Sequence, residues 1–148
     1  MKAELKGLTT FKAKLENIRS NIIDGIDGEL EAAAENIELY AKQNVPDTAG
    51  IAGGKKIDFA GQIRNSFYLD NQPLRKEIGV RNINNKPYPA WIEFGTGIYV
   101  SIPEGLEDYA MTFYVNGKGK ILPHPFLFPA VERERVELIK RIKELLGA

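Results

Sequence analysis

The chain has 148 residues, 43% of them hydrophobic and 27% charged, which is typical of one soluble globular domain, so we expect a single domain over residues 1–148. Twenty basic side chains balance twenty acidic ones, which argues against a general positive field for nucleic acid or an anionic membrane. Cysteine is absent, which excludes disulfides, thiolate catalysis and cysteine-ligated zinc. No apolar run approaches the roughly 20 residues of a membrane-spanning helix, and we expect synthesis in the cytoplasm.

The N-terminal third carries the clearest periodic pattern in the chain. Apolar residues recur there in steps of three or four, which places them on one side of a helix: Leu8, Phe11, Leu15, Ile18, Ile22, Ile26, Leu30, Ala33, Ile37 and Tyr40. Gly25 and Gly28 interrupt this run and leave open whether the helix is continuous or broken. Because the apolar phase continues beyond both glycines, the pattern favours one long helix.

The next segments predict a small, mostly antiparallel sheet. A glycine-rich loop after Pro46 leads into two short extended elements joined by a turn at residues 71–73, with apolar positions at Ile63, Phe67, Leu69, Ile78 and Val80. The stretch YPAWIEFGTG at residues 88–97 is rich in strand formers and ends in glycines, so it is interpreted as a third strand.

The remaining segments predict a long excursion and a terminal helix. In residues 98–123, Asn116 and Gly117 indicate a hairpin with Met111, Phe113 and Val115 on one face. Because an isolated hairpin is marginal in water, we expect this excursion to be mobile until it packs against a neighbouring chain. Pro129 suits the first turn of a C-terminal helix, which gives an α+β fold of long N-terminal helix, small sheet and C-terminal helix.

A search for catalytic chemistry finds no recognisable site. His124 is the only histidine and stands between two prolines, without a serine or carboxylate near it in sequence. The central carboxylates, Glu93, Glu104, Glu107 and Asp108, form no metal-binding motif. The two glycine pairs, 95/97 and 117/119, lack the spacing of a phosphate-binding loop. We therefore predict no catalytic, cofactor-binding or metal-binding residue, and no enzyme.

Three sequence elements, in this order between two helices, resemble the tail-component family of long-tailed bacteriophages and prophages. They are AGQIRNSF at 60–67, YPAWIEFGTG at 88–97 and HPFLFPAVERER at 124–135. The family has threonine where this chain has Ala60, and leucine where it has Ile63. The resemblance implies a tail-completion or head-tail joining subunit that assembles as a homo-oligomeric ring at the virion neck. Head-tail connector and tail-tube proteins would be its partners, and DNA would pass through the ring without sequence-specific binding. It implies no catalysis, and we expect no cofactor and no membrane partner.

The resemblance and the predicted hairpin together give a set of motif residues and candidate interface residues. Glu93 would be a charged partner for Arg64 or for an adjacent subunit, with a solvated strand carboxylate as the open alternative. Because no nucleophile, base or metal set converges in the sequence, Glu93→Gln is expected to leave folding nearly intact and to abolish no turnover. Gly95 to Gly97 would turn the strand, and the aromatic residues and prolines after residue 124 would anchor the last helix. The full set is Arg64, Trp91, Glu93, Phe94, Gly95, Thr96, Gly97, Phe113, Asn116, Gly117, Pro125, Phe126 and Pro129.

Two other classes of function remain as alternatives. One is a metal- or carboxylate-dependent hydrolase or nuclease that uses Glu93 and His124, and the other is a cytoplasmic protein-binding adaptor. For the ring, the charges of the first helix suggest one further contact. Basic residues dominate positions 2–19 and acidic residues positions 24–38, so neighbouring subunits could pair the basic end of one helix with the acidic half of the next.

Overall fold

The structure is a computed structural model that describes residues 8–47, 49–50, 56–57, 60–113, 115 and 117–147. Five helices, two short hairpins and one 3₁₀ turn follow each other in these residues, and they confirm the α+β class. In chain order they are α1 (Leu8–Asn44), β1 (Ala49–Gly50), β2 (Lys56–Ile57), α2 (Ala60–Arg64), β3 (Phe67–Gln72), β4 (Arg75–Val80), α3 (Tyr88–Phe94), the 3₁₀ turn (Gly97–Tyr99), α4 (Glu107–Thr112) and α5 (Phe128–Leu146).

Helix α1 is continuous over 37 residues, which corresponds to about 55 Å at about 1.5 Å per residue. The prediction of one long helix is therefore confirmed, and neither glycine breaks it. Gly25 has a packing role, because a Cβ at this position would lie 3.0 Å from Leu145 Cδ1 of α5. Glycine thus lets the end of α5 approach the α1 backbone closely.

Helices α1 and α5 run antiparallel, and polar contacts join α5 to the second half of α1. Arg141 of α5 donates to Glu29 of α1 and to Glu134, both at 2.6 Å, and Asn36 of α1 donates to Glu134 at 3.3 Å. Farther along, the guanidinium of Arg133 lies 4.7 Å from the ring centre of Tyr40. The second layer on α1 is the β3–β4 hairpin.

The predicted antiparallel pair is confirmed as β3 and β4, which pair from Phe67 with Val80 to Gln72 with Arg75. The turn lies at residues 73–74, slightly after its predicted position, and Leu74 adopts a positive φ of 58° there. The Leu74 N–H and the Lys76 ammonium both donate to Asp27 of α1, at 2.6 and 2.8 Å. Asp27 thereby fixes the tip of the hairpin against the helix.

Two clusters of buried side chains form the core. The larger one joins α1, α2, α3 and α5 through residues such as Ala41, Ile63, Ile92 and Ala130. Ile63 had been assigned to an extended element, but it belongs to the short helix α2 and is fully buried. The smaller cluster joins Phe94, Ala110 and Val115. Helix α3 therefore contributes to both clusters.

The prediction of a strand at YPAWIEF is wrong, because residues 88–94 form helix α3. Pro89 occupies the first turn of this helix, where its missing N–H costs nothing. A strand would have sent successive side chains to opposite faces, whereas Ile92, Glu93 and Phe94 are all buried. Packing on several sides of one short helix overrides the strand propensity of these residues.

The prediction of a hairpin in residues 98–123 is also wrong for its first strand, since Met111 lies in α4. Asn116, at its predicted turn, lies outside the described residues. Ala110 and Val115 are 0% and 1% exposed and pack with Phe94. The described part of the excursion therefore packs on its own subunit through Ala110 and Val115, whereas the sequence predicted a packing partner in a neighbouring chain.

Candidate functional site

Glu93 lies buried at the N-terminus of α5, and its carboxylate binds the first backbone amides there. The N–H groups of Phe126 and Leu127 donate to Oε2 at 2.9 and 3.0 Å, and the N–H of Phe128 donates to Oε1 at 3.0 Å. These N–H groups have no partner within the helix, and the helix dipole favours a negative charge at this end. Burial raises the pKa of the Glu93 carboxyl, and the three N–H donors act in the opposite direction. Glu93 is thus the cap of the last helix.

Arg64 has the complementary role at the C-terminus of α1. Its guanidinium donates to the carbonyl oxygens of Lys42 at 3.2 Å and Val45 at 2.9 Å, and to the Asp47 carboxylate at 2.8 Å. A cation stabilises this end of a helix, where carbonyl groups lack partners within the helix. The predicted pairing of Arg64 with Glu93 is therefore wrong, because each side chain caps a different long helix.

The Gly95-Thr96-Gly97 stretch fastens the chain segment that leads to α5. The backbone N–H of Thr96 donates to the carbonyl oxygen of Ile121, and the backbone N–H of Ile121 donates to Thr96 Oγ1, both at 2.8 Å. Gly97 has φ 67°, and a Cβ there would collide with the carbonyl oxygen of Gly119. A residue other than glycine would push this segment away, so the motif is explained by close backbone contact.

Most of the other predicted site residues also pack inside the subunit. Trp91 donates its indole N–H to the carbonyl of Phe113 at 3.1 Å. Phe94 and Phe126 are each 1% exposed. At the surface lie Gly117, Pro125 and Pro129, whereas Asn116 lies outside the described residues. The three sequence motifs therefore hold the two long helices and the short helix α3 together.

The described residues do not bring Glu93 and His124 into a recognisable catalytic arrangement. Both Glu93 oxygens are occupied by amide donors, and the backbone N–H of His124 donates to the Ile92 carbonyl at 2.7 Å. His124 Nε2 is buried and has no hydrogen-bond partner among the described residues. In the part of the chain that the structure describes, no group of three or more His, Asp or Glu side chains is placed to hold a metal ion.

The first half of α1 presents an exposed row of apolar side chains, which belongs to the apolar side that the sequence predicts for this helix. Every residue from 8 to 24 is exposed. The α1 stripe, as we call this row, has exposed fractions between 36% and 64% and consists of Leu8, Phe11, Leu15, Ile18 and Ile22. Helix α5 ends against Gly25 and the β3–β4 hairpin ends against Asp27. About 25 Å of helix therefore extends beyond the elements that pack on α1.

A second surface feature is an apolar groove with acidic walls near the beginning of α5. Its volume is about 610 Å³, and its lining includes Pro103, Glu104, Leu106, Phe128, Val131 and Glu132. Glu93 also borders it, and no basic side chain is among its described lining residues. The chain from 98 to 113 contains no basic residue at all. We call this feature the acidic groove.

Comparisons of the chain with family models, with curated proteins and with solved structures found no match. None of the helices within the described residues has the length and apolar character needed to cross a membrane.

Proposed function

We propose that the protein is a structural subunit of a tailed-phage or prophage virion, which completes the tail or joins head to tail as a ring at the neck. The ring lies between the portal-connector and the tail tube. The observation that carries this proposal is the α1 stripe, a row of large apolar side chains that the described part of its own subunit leaves uncovered. Contiguous apolar surface of this kind marks a protein–protein contact. The resemblance of the three sequence motifs to the tail-component family suggests the particular assembly.

The size of the stripe fits a subunit that associates through several cooperating contacts. Full burial of a large apolar side chain contributes about 1.5–3 kcal/mol, so covering five half-exposed ones contributes about 4–8 kcal/mol. Association of two proteins costs an estimated 4–15 kcal/mol in lost freedom of motion. One such contact is weak by itself. A ring, in which every subunit contacts two neighbours and a partner surface, makes such contacts sufficient.

The motif residues support this role more than they support a hydrolase. Glu93 and Arg64 cap the two long helices, and Thr96 and its glycines fasten the segment between them. These contacts make a stiff body from which the first half of α1 projects. A hydrolase that uses Glu93 would need its carboxylate oxygens available to substrate, and three amide donors already occupy them.

The proposal is tested by deleting the gene from the phage or prophage that encodes this chain. We expect DNA-filled heads and separate tails that do not join, with joining restored by the wild-type gene in trans. In purified virions the protein should be present in several copies per particle, located at the neck by electron microscopy. Intact infectious particles from the deletion strain, or purified virions without the protein, would overturn the proposal.

A further inference from the structure

We propose that the α1 stripe of one subunit docks into the acidic groove of the next subunit, so that copies of this chain associate head to tail. This inference rests on the proposed function, because it names the contact that would close the ring. It replaces the expected pairing of basic and acidic halves of neighbouring α1 helices. That pairing is disfavoured because three acidic residues of the second half, Asp27, Glu29 and Glu31, bond to Lys76, Arg141 and Asn71 of their own subunit.

The spacing of the stripe indicates that it packs on other protein. Leu8, Phe11, Leu15, Ile18 and Ile22 follow alternating steps of three and four residues, the seam of a helix that packs along one narrow line. A membrane-surface helix usually has a wider apolar face and a strongly charged polar face. Residues 8–24 carry only three basic and two acidic side chains.

The charges beside the stripe select the kind of surface that covers it. The positions that flank the seam on either side include Lys12, Lys14 and Arg19 and no acidic residue. If two copies of the stripe packed on each other, these like charges would lie close together whether the two helices were parallel or antiparallel. The occupant must therefore combine apolar contacts with negative charge.

The acidic groove of the same chain has this combination. Leu106, Phe128 and Val131 supply apolar surface, and Glu104 and Glu132 supply negative charge at its walls. Glu132 has one ion pair, to Arg135 at 3.5 Å, in which both side chains are about two-thirds exposed. An ion pair so exposed is weak, so Glu132 remains able to attract the basic flanks of the stripe.

The positions of stripe and groove make the contact intermolecular. The groove lies at the first turn of α5, whereas the stripe begins beyond the last turn of α5, next to Gly25. The 19 residues of α5 separate them by about 28 Å. A contact between different surfaces of identical subunits propagates from copy to copy, and it closes into a ring when the rotation allows.

Paramagnetic relaxation measured by NMR can test this contact even when it is weak. Because the chain has no cysteine, Asn17→Cys gives one attachment point for a nitroxide, within the span of the stripe but off its apolar face. Spin-labelled chains at natural isotope abundance are mixed with ¹⁵N-labelled wild-type chains at millimolar concentration. We expect loss of amide signal at Glu104, Leu106, Val131 and Glu132 of the ¹⁵N chain.

Matched variants then separate the contributions of apolar contact and charge. Leu15→Asp with Ile18→Asp, both at exposed positions, should keep the fold and abolish the signal loss. Lys12→Glu with Arg19→Glu should also abolish the signal loss, and so should Glu104→Lys with Glu132→Lys. A chain that carries all four charge reversals should show the signal loss again. Failure of the four-fold reversal to regain it would overturn the charge argument.

Three outcomes would overturn the docking proposal itself. The first is loss of amide signal on residues 8–24 in place of the groove, and the second is no loss of signal at the groove at millimolar concentration. The third is that the wild type shows no groove contact but binds phosphatidylglycerol vesicles, and that this binding persists in Glu104→Lys with Glu132→Lys. The deletion experiment is independent of these outcomes. Unjoined heads and tails without groove contact would refute the docking alone, and groove contact in a protein absent from virions would refute the neck function alone.

Discussion

Replacing Glu93 with glutamine should destabilise the fold strongly, in contrast to the expectation from sequence that folding stays nearly intact. The carboxylate accepts N–H groups from Phe126, Leu127 and Phe128 and is 3% exposed. Glutamine offers one oxygen in place of two and turns an NH₂ group toward at least one of these donors. A buried donor left without an acceptor costs about 1–3 kcal/mol, and loss of the negative charge at a helix N-terminus costs up to about 2 kcal/mol. We expect a loss of about 2–4 kcal/mol.

The measurement is equilibrium unfolding in guanidinium chloride, followed by far-ultraviolet circular dichroism, together with calorimetric melting. For a chain of this length, about 1 kcal/mol corresponds to roughly 2–4 °C in Tm, so Glu93→Gln should lower Tm by roughly 5–15 °C. Glu104→Gln is the matched control, because it removes the same charge from an exposed side chain nearby and should change stability by less than about 0.5 kcal/mol. Equal stability of the two variants would refute the assignment of Glu93 as the cap of α5.

Two further predictions concern the long helix. Gly28→Ala should stabilise the protein by about 1 kcal/mol in the same unfolding assay, since a Cβ there meets no atom within 4 Å. Gly25→Ala should stabilise it less, because the end of α5 must shift to make room for the methyl group. Equal stabilisation by the two variants would contradict the close approach of α5 at Gly25. Asp27→Asn should remove a pH-dependent contribution to the free energy of unfolding. The hydrogen bond from Lys76 lowers the pKa of the Asp27 carboxyl, so this stabilisation is present above the usual pKa of an aspartate and is lost as the pH falls through the lower native pKa. Unfolding of wild type and Asp27→Asn, measured from neutral pH downward, should therefore converge in acid, with Asp24→Asn as an exposed control that follows the wild type throughout.

The elements that depend on neighbours in sequence were predictable without the structure. The apolar periodicity of α1 identifies one helix, and the pattern after Pro129 identifies another, because each reflects a face that repeats every few residues. The β3–β4 hairpin follows in the same way from two short extended runs separated by a turn. The periodicity of α1 does not show which part of its apolar face is buried by other elements. Burial depends on where the partner elements α5 and β3–β4 end, and those ends are set far away in the chain.

The tertiary structure alone decided the role of the YPAWIEFGTG stretch. Local preference favours a strand for Trp91, Ile92 and Phe94, but a seven-residue helix is formed because it buries side chains on more than one side. Glu93 finds its partners 33 to 35 residues later, at amide groups that become available only where α5 begins. Every residue except proline has a backbone N–H, so the partners of a carboxylate that binds backbone amides have no characteristic residue type. The sequence therefore does not reveal them. The sequence alone therefore identified Glu93 as a distinctive residue, and the packing of α3 against the start of α5 determined what it does.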